Sequence, residues 1–126
     1  FINKNIGCAV GYNGIILRTV NGGLNWIDAS IQYAYDFTSV CFTDTNTATA
    51  VGFRGRIIKT TNGGMNWFNQ VEESFNANSL NSVIFSNSNT GWAVGVAGRI
   101  FKTNNGGVNW IAFSDFVKLR PITRVY

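Results

Sequence analysis

Short runs in which apolar and polar residues alternate recur along the chain, and glycine or asparagine separates one run from the next. In the last third of the chain these runs read LNSVIF, GWAVG, GRIFKT and VNWIAF. An alternation with a period of two residues indicates β-strands rather than helices. The pattern therefore predicts four short antiparallel strands in this third of the chain.

The same order of runs occurs three times. The second and third runs together read GCAVGYNGIILRT, ATAVGFRGRIIKT and GWAVGVAGRIFKT, and the tryptophans Trp26, Trp67 and Trp110 are 41 and 43 residues apart. A four-stranded unit repeated at about 42 residues is typical of β-propeller blades. We expect one all-β module over residues 1–126, made of three four-stranded antiparallel blades at about 1–41, 42–84 and 85–126, cut within the first strand of a blade.

Between its third and fourth strands each repeat carries a Thr-x-Asn-Gly-Gly-x-Asn-Trp motif. The asparagine side chain can bond to backbone groups two residues on and the glycines tolerate positive φ, so the motif predicts a hairpin turn, after which the tryptophan packs on the blade. We interpret the motif as structural rather than as a ligand or metal site. Its residues are Thr19, Asn21, Gly22, Gly23, Trp26, Thr60, Asn62, Gly63, Gly64, Trp67, Thr103, Asn105, Gly106, Gly107 and Trp110.

These motifs also carry a family resemblance. The motif resembles the Asp-box of sialidase-type propellers, and GWAVGVAGRIFKTNNGGVNW is similar to the repeat of the photosystem II assembly and stability factor family. The resemblance implies a propeller, usually seven-bladed, that acts as a binding scaffold and not as an enzyme. Asparagine stands where the box has aspartate, and only three repeats are present. Similar repeats in secreted bacterial proteins make a secreted or extracytoplasmic location the favoured one.

In a propeller the turns between the second and third strands, together with the loops between blades, are expected to form the binding face. The turns would present Tyr12, Phe53, Arg54, Arg56 and Arg99, and the loops would add Tyr33, Tyr35, Phe75, Lys118 and Arg120. Aromatic rings among basic side chains suit an anionic, glycan or protein partner. The alternative is an ordinary solvated surface.

The formal net charge of +4 favours anionic partners at long range. The basic residues are scattered without a basic run or a base-stacking motif, so we expect no nucleic-acid partner. No apolar run approaches the ~20 residues of a membrane helix, so no membrane span is expected.

The sequence contains no histidine. This excludes a Ser/His or Cys/His nucleophile and removes the commonest metal ligand, so we expect no metal, no cofactor and no catalysis. A sialidase-like glycosidase is the enzymatic alternative. The residues that would carry its catalysis are Arg54, Arg99, Tyr33, Glu72 and Asp36, although no sequence spacing singles them out.

We interpret the two cysteines, Cys8 and Cys41, as packed free thiols rather than a disulfide.

Three blades are too few to close a ring, since propellers have roughly four to eight. The C-terminal ITRVY aligns with FTSVC and LNSVI, which Phe42 and Phe85 follow, and the corresponding phenylalanine is Phe1. The sequence therefore predicts a six-bladed homodimer in which residues 122–126 of one chain complete the blade that begins at Phe1 of the other. The rival prediction is an arc excised from a larger secreted propeller.

Overall fold

Short strands form three antiparallel sheets in the computed structural model, which describes residues 1–32, 35–71, 78–113 and 122–126. Sheet 1 contains β1 (Gly7–Val10), β2 (Ile16–Thr19) and β3 (Ile27–Asp28). Sheet 2 contains β4 (Phe37–Phe42), β5 (Ala48–Gly52), β6 (Ile57–Thr60) and β7 (Phe68–Asn69). Sheet 3 contains β8 (Leu80–Phe85), β9 (Gly91–Gly95), β10 (Ile100–Thr103) and β11 (Ile111–Phe113). The all-β fold class is confirmed, and the sheets match propeller blades. The sequence predicts four strands for each sheet, whereas the described part of sheet 1 has three.

Sheets 2 and 3 share one register. Cys41 lies opposite Thr49 in sheet 2, and Ile84 lies opposite Trp92 in sheet 3. In both sheets the first strand has a register shift close to its start. Such irregularities increase the local twist of a strand. Equivalent positions in the two sheets can therefore be compared directly.

The turns between the second and third strands of each sheet span residues 12–14, 53–55 and 96–98. Their central residues, Asn13, Arg54 and Ala97, have φ of 56°, 58° and 56°, which is the left-handed region. This conformation is uncommon for residues other than glycine and requires support from the surroundings. Support comes from the segment before the first strand of the same sheet, where Asp36 O accepts the Phe53 N–H at 2.8 Å. We call the side of the molecule that carries these turns the turn face.

The Thr-x-Asn-Gly-Gly motifs connect the third and fourth strands, and we call residues 19–26, 60–67 and 103–110 the box turns. In the second box turn, Thr60 Oγ1 accepts the Gly64 N–H at 3.0 Å and donates to Asn62 Oδ1 at 2.9 Å. Asn62 Oδ1 also accepts the Asn66 N–H at 2.9 Å. The other two box turns repeat these bonds at 2.9–3.0 Å. These bonds use Oδ1, an atom that aspartate shares, so asparagine can replace the aspartate of an Asp-box. Asn62 adds one further bond, from its Nδ2 to Asn66 Oδ1 at 2.9 Å.

Apolar side chains between the sheets form two clusters. The cluster between sheets 1 and 2 contains Ile16, Phe37, Ala50 and Ile58, and Trp67 packs against it. The cluster between sheets 2 and 3 contains Val51, Ile57, Leu80, Val83, Ala93 and Phe101, and Trp110 packs against it. Each cluster draws on two sheets, so the stability of each sheet depends on its neighbour.

At each of the two interfaces between sheets, a cationic side chain of one sheet donates a hydrogen bond to the box turn of the next sheet. Arg18 Nε donates to Gly63 O at 2.6 Å, and Lys59 Nζ donates to Gly106 O at 2.7 Å. Arg18 and Lys59 occupy the same position in β2 and β6. The same type of contact therefore occurs at both interfaces between sheets.

Within the described ranges, no helix is long and apolar enough to cross a membrane.

Candidate functional site

A cleft of about 380 Å³ opens between sheets 1 and 2. One wall comes from the segment after β3, where Ile31 donates its N–H to Gly14 O of the turn 12–14 at 3.1 Å. The other wall comes from β6, β7 and the residue before each strand. The lining residues are Ile31, Gln32, Arg56, Ile58, Trp67, Phe68 and Asn69. Apolar and aromatic walls with a few placed polar groups are the usual composition of a ligand site.

Arg56 supplies the cationic group of this cleft. It follows the turn 53–55 directly and is only 8% exposed. Its Nη1 donates to Asn69 Oδ1 at 3.0 Å, and its guanidinium carbon lies 3.6 Å from the centroid of the Tyr35 ring. A buried charge is costly unless it is paired, so stacking and hydrogen bonding hold this guanidinium in one orientation. The cleft therefore contains a cation that is already ordered before any ligand arrives.

The tips of the first two turns carry exposed aromatic rings. Tyr12 is 73% exposed and Phe53 is 44% exposed. The Arg54 guanidinium lies 5.3 Å from the centroid of the Phe53 ring. The turns are anchored by the N–H groups of their central residues, of which Asn13 donates to Asp36 Oδ1 at 2.9 Å. Rings and cations thus stand at the turn face on a fixed backbone.

Arg99 occupies in sheet 3 the position of Arg56 in sheet 2, but its surroundings differ. Its guanidinium carbon lies 5.0 Å from the centroid of the Phe101 ring, and its Nε is buried without a hydrogen-bond partner among the described residues. Where sheet 2 has Asn69, sheet 3 has Ala112, which offers no side-chain acceptor. An unsatisfied buried donor is unfavourable, so this position is less well adapted than its counterpart.

The structure brings only part of the sequence-predicted binding set together. Tyr35 contacts Arg56, and Phe53 contacts Arg54, whereas Arg99 lies on the next sheet. Outside the described residues lie Tyr33, Phe75, Lys118 and Arg120, and also Glu72, which was nominated for the glycosidase alternative. We expected Arg56 among surface residues, and the structure shows it buried.

Several cleft residues are not indicated by the sequence. Gln32 lies in a loop without a motif, and Phe68 and Asn69 belong to a strand of two residues. Asn69 can meet Arg56 because β7 places it opposite Ile58, two residues beyond the arginine. To predict this pair from the sequence, one would have to know how β7 is aligned with β6. A strand of two residues is too short for its sequence to determine that alignment.

The thiols and carboxylates of the described ranges do not form a metal site, because no group of three metal-ligating side chains occurs there. Cys8 and Cys41 are free and half-buried. Burial raises the pKa of the Cys8 thiol, while the nearby Arg18 and the amino terminus oppose the increase. A Cβ built on Gly64 would lie 3.2 Å from Cys8 Sγ, which shows that this thiol packs between sheets 1 and 2.

Comparison with solved structures gives matches to two YCF48 proteins. One is YCF48 bound to D1 peptide, with a TM-score of 0.76 and 26% identity over 89% of this chain and 37% of that chain. Another is YCF48 from Cyanidioschyzon merolae, with a TM-score of 0.73 and 29% identity over the same shares of both chains. The chain thus spans about 37% of the length of these structures.

Two glycoside hydrolases are similar in fold alone. An ancestral GH74 enzyme has a TM-score of 0.60 at 20% identity, covering 87% of this chain and 18% of that chain. The Niastella koreensis GH74 enzyme has a TM-score of 0.67 at 18% identity, covering 87% of this chain and 20% of that chain. No protein-family model and no curated protein matches the sequence. The comparisons agree with the sheet geometry that the fold is that of β-propeller blades.

Proposed function

We propose that this chain is a non-catalytic propeller scaffold that binds an acidic protein segment in the cleft between sheets 1 and 2. The observation that carries the proposal is the buried Arg56 guanidinium, fixed between Tyr35 and Asn69 in an aromatic-walled cleft. A peptide is the favoured ligand class because one similar YCF48 structure has a peptide bound.

The chemistry of the cleft suits an extended segment with neighbouring acidic and apolar side chains. A planar guanidinium pairs with a carboxylate through parallel hydrogen bonds. The apolar side chain would lie against Ile58 and Phe68, of which Phe68 is 62% exposed and therefore loses water when covered. The net charge of +4 adds long-range attraction for an acidic segment.

The glycosidase alternative has less support. Its nominee Asp36 has its Oδ1 engaged by the Asn13 N–H at 2.9 Å, which gives this carboxylate a role in holding a turn. The similarity to GH74 enzymes is below 25% identity and concerns the fold. Turnover of a fluorogenic glycoside that Asp36→Asn abolishes would favour the enzyme over the scaffold.

As part of the same proposal, the scaffold is a closed ring completed by a second copy of the chain through strand exchange. The rival arrangement is a ring whose remaining blades belong to a longer parent chain. The 37% share of the YCF48 structures that this chain covers is compatible with that rival. Both arrangements leave the cleft between sheets 1 and 2 unchanged.

Fluorescence anisotropy with labelled 12-residue peptides tests the binding function. One peptide alternates glutamate with leucine, a second has glutamine for every glutamate, and a sulfated oligosaccharide serves as a competitor. We expect the acidic peptide to bind and Arg56→Gln to weaken it by about tenfold or more. The matched control is Lys4→Gln, which removes the same charge from an exposed residue beside the box turn of sheet 1.

Because Arg56 is buried, Phe68→Ala provides a second variant at an exposed position of the same cleft. It should also weaken the acidic peptide, with an unchanged circular dichroism spectrum. Equal losses in the Lys4→Gln control would reduce the effect to net charge and contradict the proposed site. Binding of the oligosaccharide alone would replace the peptide by an anionic glycan.

A further inference from the structure

Each box turn contains an Asn-Gly step, and in sheets 2 and 3 these steps are Asn62–Gly63 and Asn105–Gly106. Asparagine before glycine is chemically labile, because glycine has no Cβ to hinder attack of its backbone nitrogen on the asparagine side chain. The nitrogen bonds to Cγ, ammonia leaves, and a five-membered succinimide ring forms. Water then opens the ring at either carbonyl, which gives aspartate or isoaspartate. The sheets that cover these two turns belong to this chain, so its own contacts determine how the steps are protected.

The fold engages the nucleophile of this reaction. Gly63 donates its N–H to Asn46 O at 2.7 Å, and Gly106 donates its N–H to Asn89 O at 2.8 Å. Both acceptors lie in the loop between the first and second strands of the same sheet. The glycine nitrogen must lose this proton in order to attack, and a hydrogen bond to a carbonyl stabilises the protonated form. The closed turn therefore slows the first step of the reaction.

The asparagine carboxamide is held as well. Asn62 Oδ1 accepts the Thr60 hydroxyl and the Asn66 N–H, both at 2.9 Å. The third box turn repeats the two bonds at 2.9–3.0 Å. Two bonds to one oxygen fix the orientation of the carboxamide, so a rotation of Cγ toward the glycine nitrogen breaks at least one of them. The closed turn is thus protected at both reacting groups.

Opening of a box turn also breaks its contact with the preceding sheet. Gly63 and Gly106 are buried, and their carbonyls accept Arg18 Nε at 2.6 Å and Lys59 Nζ at 2.7 Å. A reaction that occurs only in an opened segment follows the equilibrium population of the open form. The deamidation rate at each step should therefore report the opening of one interface between sheets.

The two products differ in their fit to the closed turn. The bonds from Thr60 and Asn66 need only Oδ1, which an aspartate carboxylate also provides. Aspartate at position 62 loses the single bond from Nδ2 to Asn66 Oδ1. Isoaspartate instead adds a methylene to the main chain, which displaces Gly63 and also Gly64, whose N–H donates to Thr60 Oγ1 at 3.0 Å. Aspartate therefore fits the turn, and isoaspartate does not.

We propose that Asn62 and Asn105 are sites of spontaneous deamidation that react only when their box turn opens, and that the turn closes again on the aspartate product but not on isoaspartate. Water is the co-reactant and ammonia is the leaving group. Each event replaces a neutral side chain by a carboxylate at the end of the blade opposite the turn face. One product has the residue of an Asp-box, and the other breaks the turn.

Peptide mapping by mass spectrometry on the 126-residue chain tests the protection. The chain is aged at mildly alkaline pH in buffer and in guanidinium chloride, and a free peptide of sequence TTNGGMNW gives the rate without the fold in both solutions. In buffer both asparagines should react about 100-fold more slowly than in denaturant, or more slowly still, which corresponds to an opening free energy of about 2.8 kcal/mol. Equal rates in the two solutions would contradict the protection.

Two variants serve as matched controls for one another. Arg18→Met removes the cation over the second box turn, and Lys59→Met removes the cation over the third. Arg18→Met should accelerate deamidation of Asn62 by about tenfold relative to Asn105, since a lost hydrogen bond of about 1.4 kcal/mol is a factor of ten. Lys59→Met should give the opposite preference. Equal acceleration at both asparagines in both variants would show opening of the whole chain and contradict the proposal.

Brief proteolysis of the aged chain at low denaturant concentration tests the difference between the products, because it digests molecules in which a turn stays open. Peptide mapping of the surviving chains should show aspartate at position 62 and little isoaspartate. Asn62→Asp, prepared directly, is the reference for the first product and should unfold at nearly the same denaturant concentration as the parent chain. Survival of both products in equal amounts, or an Asn62→Asp chain that does not fold, would contradict the selectivity.

Discussion

The box turns of sheets 1 and 2 have the same internal structure and opposite surroundings. The hydroxyl of Thr19 accepts the Gly23 N–H at 2.9 Å, and that of Thr60 accepts the Gly64 N–H at 3.0 Å. Yet Gly22 is exposed, whereas its equivalent Gly63 is buried. Hydrogen bonds within the motif thus determine the turn, while burial comes from the preceding sheet. The difference teaches that a blade folds locally but becomes covered only by its neighbour.

The tryptophans that end these two turns show the same contrast. Trp26 is 41% exposed, whereas Trp67 is partly buried against the cluster between sheets 1 and 2. The Trp67 indole N–H also donates to the Gly64 carbonyl at 3.1 Å. The energetic value of the repeated residue should therefore differ between the sheets, although its local sequence does not.

The largest expected effect comes from the tryptophans. Trp67→Ala should lower the free energy of unfolding by ~3–5 kcal/mol, because it removes a ring packed between two sheets. In the single chain, Trp26→Ala should cost only about 1–2 kcal/mol, because its ring is more exposed. Urea denaturation followed by circular dichroism measures both. Equal losses would contradict the distinction between covered and uncovered turns, and a stable Trp67→Ala variant that has only lost peptide binding would make this ring a ligand platform.

The glycines give a smaller, closely matched pair. Gly23 and Gly64 both have φ of 89°, so alanine strains either backbone by ~1–3 kcal/mol. At Gly64 the new Cβ would also lie 3.2 Å from Cys8 Sγ, so Gly64→Ala should destabilise the chain more than Gly23→Ala. Thermal unfolding of the two variants measures the difference. Identical losses would show that the neighbouring sheet does not constrain the turn.

The cations that cover the box turns should have a smaller effect still. Arg18→Met removes the donor to the Gly63 carbonyl and should cost about 1–2 kcal/mol. Lys102→Met changes the equivalent position in sheet 3 and should cost less than about 0.5 kcal/mol in the single chain. Chemical denaturation at low chain concentration compares the two. A larger loss for Lys102→Met would place its partner within the same chain.

The smallest effect concerns the loop before the second strand of each sheet. The Asn46 N–H donates to Asp44 and thereby lowers the pKa of this carboxyl, with a smaller contribution from Thr47. A lowered pKa stabilises the fold above the ordinary value of about 4, and this stabilisation is lost as the pH falls through the folded pKa.

Asp44→Asn should therefore change stability little at pH 7 and flatten its decrease below about pH 4, since Asn3 and Asn87 form the same loop bonds without a charge. Denaturation midpoints across the acid range measure this slope. A variant that lost stability more steeply with acid than the parent chain would contradict the predicted direction of the pKa shift.

The features that the sequence predicts are those that repeat. Alternation and the recurring motif predict the three sheets. These features depend on neighbouring residues or on a period of about 42 residues, both of which can be read from one chain. The structure adds that the fourth strands contain only two or three residues.

The candidate site is predicted less completely. The sequence singles out Arg56 and Tyr35 but not their contact, because the stack joins a hairpin to a loop whose path depends on packing. Gln32 and Asn69 line the cleft without any motif. Such residues belong to one interface and do not recur, so the repeat that predicts the fold contains no signal for them.

Light scattering on the 126-residue chain at micromolar concentration tests most directly whether the uncovered surface of sheet 1 is covered by a second copy. We expect a particle of twice 13.8 kDa that falls to a single chain when residues 122–126 are deleted. A particle of 13.8 kDa that unfolds cooperatively, with or without that segment, would contradict the closure.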